Sequence, residues 1–197
     1  DVTVTLRRID AGPLQIQALA SGSIDLANSL GGTLLLPAAA AGLDLRIVGV
    51  SARSPKTFAL FTTAPEIRTV ADLAGKTVAC PKGTLPHQLL HETLRQEGIE
   101  PSTVTLLSLA QPEVLTVLLG GKTDAAALGG TAADRAAAAG ARILADGEGK
   151  IGGITYLVTT GDFARKHPDL IRRLLEVRAE AVAFLREPPE EAFRLAS

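Results

Sequence analysis

Thr69-Val70-Ala71-Asp72-Leu73-Ala74-Gly75-Lys76-Thr77-Val78-Ala79-Cys80-Pro81-Lys82-Gly83-Thr84 reads as a capped turn, a tight strand and a Gly-Thr loop that opens a helix at Leu85. A glycine loop ahead of a helix offers free backbone N–H groups, which suit an anion or a polar head group. The stretch therefore suggests ligand capture before it suggests chemistry. It also sets the rhythm of the rest of the chain, strand then loop then helix. The chain opens on an alternating strand, Val2–Leu6, with a helix expected from Leu14 to Ala20. Short apolar strands are expected at 24–27, 45–50, 58–62, 77–80, 104–109, 125–128, 143–145 and 154–159. Helices are expected at 33–41, 85–97, 112–119, 131–139, 162–166 and 169–186, with another start at Pro189. Such alternation argues for an α/β protein with largely parallel sheets.

One phrase occurs twice. Leu19-Ala20-Ser21-Gly22-Ser23-Ile24-Asp25-Leu26-Ala27 and Leu118-Leu119-Gly120-Gly121-Lys122-Thr123-Asp124-Ala125-Ala126 both read helix end, Gly, two residues, Asp, buried strand. Each leads into a glycine loop and a new helix, through Ser29-Leu30-Gly31-Gly32-Thr33 and Gly129-Gly130-Thr131. Two similarly built α/β lobes are expected from this. Ligands of open α/β sheets sit beyond the carboxyl ends of the strands, so facing lobes would surround a solute with such loops.

Composition narrows the partners. A net charge of -1 gives no case for nucleic acid, which calls for a basic stripe. No apolar run approaches the roughly 20 residues of a membrane span. One cysteine, Cys80, excludes an internal disulfide. The chain has no Met and begins directly on its strand, and it stops just after a helix has begun, so both ends are expected to be cut.

Together these segments resemble the periplasmic solute-binding proteins of ABC importers, in the nitrate, sulfonate and taurine group. The residues that carry the likeness are Gly22–Asp25, Val70–Leu73 through Gly75-Lys76, Lys82-Gly83-Thr84 with His87, 143–149, and 162–168. The resemblance implies a two-lobed type II clamshell, each lobe a mostly parallel sheet flanked by helices. Lobe 1 would be 1–61 with 158–197, lacking the usual first strand and helix, and lobe 2 would be 62–157. It further implies capture of a small organic anion such as an aliphatic sulfonate, taurine or nitrate. The partner would be a membrane permease, and the location periplasmic or otherwise extracytoplasmic, with no cofactor and no covalent chemistry. The family commonly carries aromatic residues just after the strand at 125–128, where this chain has Ala126, Leu128 and Gly129.

The candidate ligand contacts are Gly83, Thr84 and His87 on one loop, Ser29, Gly31 and Gly32 on a second, and Gly129, Gly130 and Thr131 on a third. N–H groups and hydroxyls from three such loops can satisfy a sulfonate or carboxylate without a buried cation. Thr84 can also serve simply as a helix cap. His87 and His91 are four apart on one helix, a spacing that can bind zinc, but no third ligand is evident and no metal is expected.

Gly147-Glu148-Gly149-Lys150-Ile151-Gly152 fits a dinucleotide fingerprint in letters only, since a strand follows it. Cys80 with His87 nearby could be a nucleophile, but a small buried hydrophobe is the plainer reading. Two rivals share the scaffold: a pyrimidine-precursor binder or biosynthetic enzyme (thiamine-pyrimidine or menaquinone-precursor synthesis), and the sensor half of a transcription regulator.

Overall fold

The computed structural model describes residues 2–185, so the helix start at Pro189 and the last residue of the 169–186 helix lie outside the described residues. The order is α1 Gly12–Ala20, β1 Leu26–Gly31, α2 Gly32–Ala40, β2 Leu45–Arg53, β3 Phe58–Thr62 and β4 Thr77–Ala79. It continues with α3 Leu85–Gln96, β5 Thr105–Leu107, α4 Gln111–Leu119, β6 Ala125–Gly129, α5 Thr131–Ala138 and β7 Arg142–Asp146. β8 Ile154–Thr160, α6 Gly161–Lys166 and α7 Pro168–Phe184 close the described chain. No helix among the described residues is long and apolar enough to cross a membrane.

The strands form two sheets, ordered β1-β8-β2 and β5-β4-β6-β3-β7. The α/β class holds, but the strand directions are mixed rather than mostly parallel. β8 runs antiparallel to both β1 and β2, and β3 runs antiparallel to both β6 and β7. Only β4 pairs in parallel, with β5 and with β6. The helical crossovers still join parallel strands, as β1-α2-β2 and β6-α5-β7. In each, one returning strand has been inserted between the pair.

The expected lobe boundaries fall within the returning strands. A division at 61/62 and 157/158 cuts through β3 and β8, whereas the whole of β3 lies in the five-stranded sheet and the whole of β8 in the three-stranded one. The expected first strand, Val2–Leu6, joins neither sheet, and Leu6 is 93% exposed. Alternation specifies an extended backbone, but only a partner's N–H and C=O groups make it a strand.

The repeated phrase becomes the same structure twice. Gly22 and Gly121 sit at φ 68 and 62, where glycine closes a helix without a Cβ penalty. Their N–H groups donate to Leu19 and Leu118, and the next N–H groups to Ala18 and Val117. The hydroxyl of Thr159 on β8 then donates to the Asp25 carbonyl at 2.6 Å, and Thr62 on β3 to the Asp124 carbonyl at 2.7 Å.

β6 is buried along its full length because helices cover both faces of the larger sheet. Ala126 and Leu128 pack with Phe61, Val114 and Leu118 on one face, while Ala125 and Ala127 pack with Leu60, Leu90 and Leu94 on the other. Each of the leucine, valine and phenylalanine side chains contributes about 1.5–3 kcal/mol by burial. A smaller core joins Leu19, Leu30, Leu35 and Val158. The quoted opening stretch folds as read: Asp72 accepts from the N–H of Thr69 at 2.9 Å, which caps a short 3-10 turn at Val70–Leu73.

Two segments carry the chain between the sheets, and they touch. Ser54 N–H donates to the Gly153 carbonyl at 3.0 Å, and Gly147 N–H to the Phe58 carbonyl at 3.0 Å. A Cβ on Gly153 would stand 2.4 Å from the Pro55 Cα, on a backbone at φ 57. Gly153→Ala is therefore expected to destabilise the chain by more than about 2 kcal/mol, measured by urea unfolding.

Candidate functional site

Two helices begin facing each other across a cleft of about 370 Å³. Thr33, Leu36 and Pro37 of α2 form one wall, and Gly83, Thr84 and His87 at the start of α3 form the other. That volume lies in the range of small-molecule sites. Leu34 of α2 reaches towards the loop that opens α3, where a Cβ on Gly83 would meet its Cδ2 at 3.8 Å, and towards the start of α1, where one on Gly12 would meet its Cδ1 at 2.4 Å. Gly31, the residue before α2, lies against Leu85 of α3, where a Cβ would approach the Leu85 Cγ to 3.0 Å. Bare glycine backbone thus lets the two helix starts come close.

Neither helix start has a side-chain cap. Thr84 does not cap α3; its hydroxyl donates instead to the Pro81 carbonyl at 2.6 Å. The first N–H groups of both helices therefore have no intrahelical partner, and both dipoles place positive charge at the cleft. Thr33 carries the more telling signal. Its Oγ1 is shut away from solvent and makes no hydrogen bond. A buried hydroxyl without a partner costs about 1–3 kcal/mol, so such a group calls for an explanation. Sequence reading passed over Thr33 because a threonine at the second position of a helix is unexceptional until its hydroxyl is seen to be unpaired.

His87 is half-buried beside Gly83. The Gly83 N–H donates to its Nδ1 at 3.3 Å, and its Nε2 lies 3.1 Å from the Nε2 of His91. Burial, then the neighbouring His91 and Lys82, push the His87 imidazole below its ordinary value of 6.5. A second hollow, about 430 Å³, lies on the outer side of α3 between Glu92, Arg95 and Pro101. There Arg95 and Gln96 engage the Glu92 carboxyl and hold it down at about 2. The inner cleft, with unpaired donors, is the better ligand site.

With this geometry in view, comparison with known proteins places the chain. The NMT1/THI5 like family profile matches residues 2–192. The chain belongs to that family. The taurine-binding periplasmic protein of Escherichia coli K12 is 29% identical over 183 residues, covering 91% of this chain and 56% of that protein. The structure of the periplasmic aliphatic sulphonate binding protein SsuA of Escherichia coli superposes with a TM-score of 0.80 at 33% identity, covering 95% of this chain and 65% of that one. The alkanesulfonate-binding protein SsuA of Xanthomonas axonopodis pv. citri, bound to MOPS, gives 0.83 at 31%, covering 90% and 62%. The chain spans 58% and 56% of the lengths of two curated relatives. Its fold is that of the periplasmic binding proteins.

Within this NMT1/THI5-like chain the other sequence candidates fall apart from the cleft. Gly129, Gly130 and Thr131 are not among its lining residues. The Gly129 N–H donates to Gln111 Oε1 and the Gly130 N–H to the Thr57 carbonyl, both at 3.0 Å, which ties this loop to a crossing segment. The space beside Gly129 is filled by the ring of Phe58, 2.4 Å from where a Cβ would stand. Cys80 is buried, and that burial pushes its thiol up to about 12, which leaves no nucleophilic thiolate at neutral pH.

Ser29 sits on an irregularity of β1 at φ 67, and its N–H donates to Ser51 Oγ at 3.4 Å. A non-glycine residue in that conformation is strained, so Ser29→Gly is expected to raise stability by up to about 1 kcal/mol in urea unfolding. His87 makes a separate, pH-dependent contribution. Its folded-state value is depressed, so around the ordinary 6.5 the native chain binds fewer protons than the unfolded one. Its contribution is full above that value and is lost as the pH falls through it. The urea midpoint should therefore drop more steeply from about pH 7.5 to about pH 5.5 in the natural chain than in His87→Gln.

Proposed function

We propose that this NMT1/THI5-like chain captures a small organic anion, foremost an aliphatic sulfonate or taurine, for delivery to a membrane permease of an ABC importer. The observation that carries the reading is the cleft itself: two uncapped helix starts open onto a space sized for a small solute, and Thr33, whose buried hydroxyl has no partner, is one of its lining residues. Sulfonate oxygens accept three or more hydrogen bonds, which N–H groups and hydroxyls supply without a buried cation. The similarity to proteins named for aliphatic sulphonates and taurine supports the same ligand class. An extracytoplasmic location is proposed on the same basis.

The ligand contacts are assigned to Thr33, Gly83, Thr84 and His87, which line the cleft, and to the backbone of Gly31 and Gly32, which opens α2 just before Thr33. The two sheets act as two lobes joined by residues 54–57 and 147–153, and the ligand is bound and released without covalent change. An enzyme on the same scaffold has less support, because the single cysteine is buried away from the cleft and unreactive.

The test is calorimetry and thermal shift with methanesulfonate and taurine on the whole chain. At a hundredfold excess over Kd, binding should add about 2.7 kcal/mol, a rise of roughly 5–10 °C. Thr33→Val keeps the shape and removes the hydroxyl. It should weaken binding by about tenfold or more while leaving the ligand-free chain equally or more stable. If no small anion shifts the melting temperature, the reading is wrong.

A further inference from the structure

His87 occupies the very N–H that an anion would use. A backbone N–H can only donate, so the Nδ1 that receives Gly83 at 3.3 Å is unprotonated. The proton of the neutral ring is then on Nε2, which faces the Nε2 of His91 at 3.1 Å. The His91 Nε2 is placed to accept there. Gly83 to His87 to His91 is a chain of hydrogen bonds with a fixed direction.

That chain tolerates only a neutral His87. A proton on Nδ1 would set one N–H against another, and the bond to Gly83 would break. Two donors would then share the mouth of the cleft, the Gly83 N–H and a cationic imidazole N–H, which is what an anionic oxygen accepts. Thr33 lines the opposite wall, and its buried hydroxyl has no partner within the described residues.

We propose that His87 is a proton-coupled specificity residue: the cleft binds an anion together with one proton, which turns His87 from the acceptor on Gly83 into a cationic donor beside it. This rests on the anion-binding reading above. The surroundings favour the exchange. Burial disfavours a charged His87, and so does Lys82 on the loop. The facing residues of α2, Thr33, Leu36 and Pro37, carry no charge. Glu92 is turned to Arg95 and Gln96 and does not offset them. An arriving anion supplies the missing counter-charge, and an opposite charge within about 4–6 Å favours the imidazolium. A neutral isostere brings none, so the cleft would select charge as well as shape.

The test is calorimetry with methanesulfonate, which stays ionised throughout, in two amine buffers of different ionisation enthalpy, neither of them a sulfonate. Near pH 7.5 we expect uptake approaching about one proton per anion, with affinity falling by up to about tenfold per pH unit above neutrality. His87→Gln should bind with no proton uptake and a flat pH profile, His91→Gln should retain uptake, and dimethyl sulfone should bind without it. Nitrogen-15 spectra of the natural chain give a readout independent of any variant. His87 Nδ1 should be unprotonated in the free chain, and both nitrogens protonated when methanesulfonate saturates it. Anion binding without proton uptake, unchanged uptake in His87→Gln, or an imidazole that stays neutral when saturated would each overturn the proposal and leave anion capture standing. No anion binding at any pH would overturn both.

Discussion

Each of the two sheets is closed by a strand that the chain delivers from the other. β8 enters between β1 and β2 after the chain has left the larger sheet, and β3 enters between β6 and β7 after it has left the smaller one. Thr159 and Thr62 secure these insertions in the same way, each hydroxyl donating to the carbonyl of an aspartate at the head of the neighbouring strand. Neither sheet is complete without a piece of the other's path. The two crossing segments must therefore run side by side, hydrogen-bonded and in backbone contact at Pro55 and Gly153.

That constraint places the cleft. With the crossings side by side, α2, which leaves β1, and α3, which follows β4, are brought start to start. Glycine at positions 31 and 83 keeps side chains out of the approach, with Leu85 against the first and Leu34 against the second. Helix starts leave donors unpaired, so the fold concentrates N–H groups at one spot without any residue being charged for the purpose. The third glycine loop ends otherwise. Gln111 and the Thr57 carbonyl take the N–H groups of Gly129 and Gly130.

Much of this was legible in the order of residues. Phe58–Thr62 was bounded correctly, and α3, α4, α5 and β8 to within a residue, because glycine, proline and apolar runs mark ends sharply. The duplicated Gly-x-x-Asp phrase announced two equivalent units before any contact was known. Strand direction was not legible. An inserted strand such as β3 has the same apolar composition as a parallel one, and only its partners reveal which way it runs. Val2–Leu6 shows the same limit from the other side, with a faultless alternating pattern and no ladder.

The sequence by itself determined where strands, helices and glycine loops lie, because those follow from local backbone preferences and hydrophobic period. It also marked Gly83, Thr84 and His87 as one cluster, since they share a single turn of chain. Only the tertiary structure decided that Thr33 stands opposite them with an unpaired hydroxyl, that Gly129 is packed under Phe58, and that His87 already holds the Gly83 amide. Two of these pairings join residues about 50 to 70 positions apart, and the third depends on which way a ring turns. Backbone propensity carries no information about either.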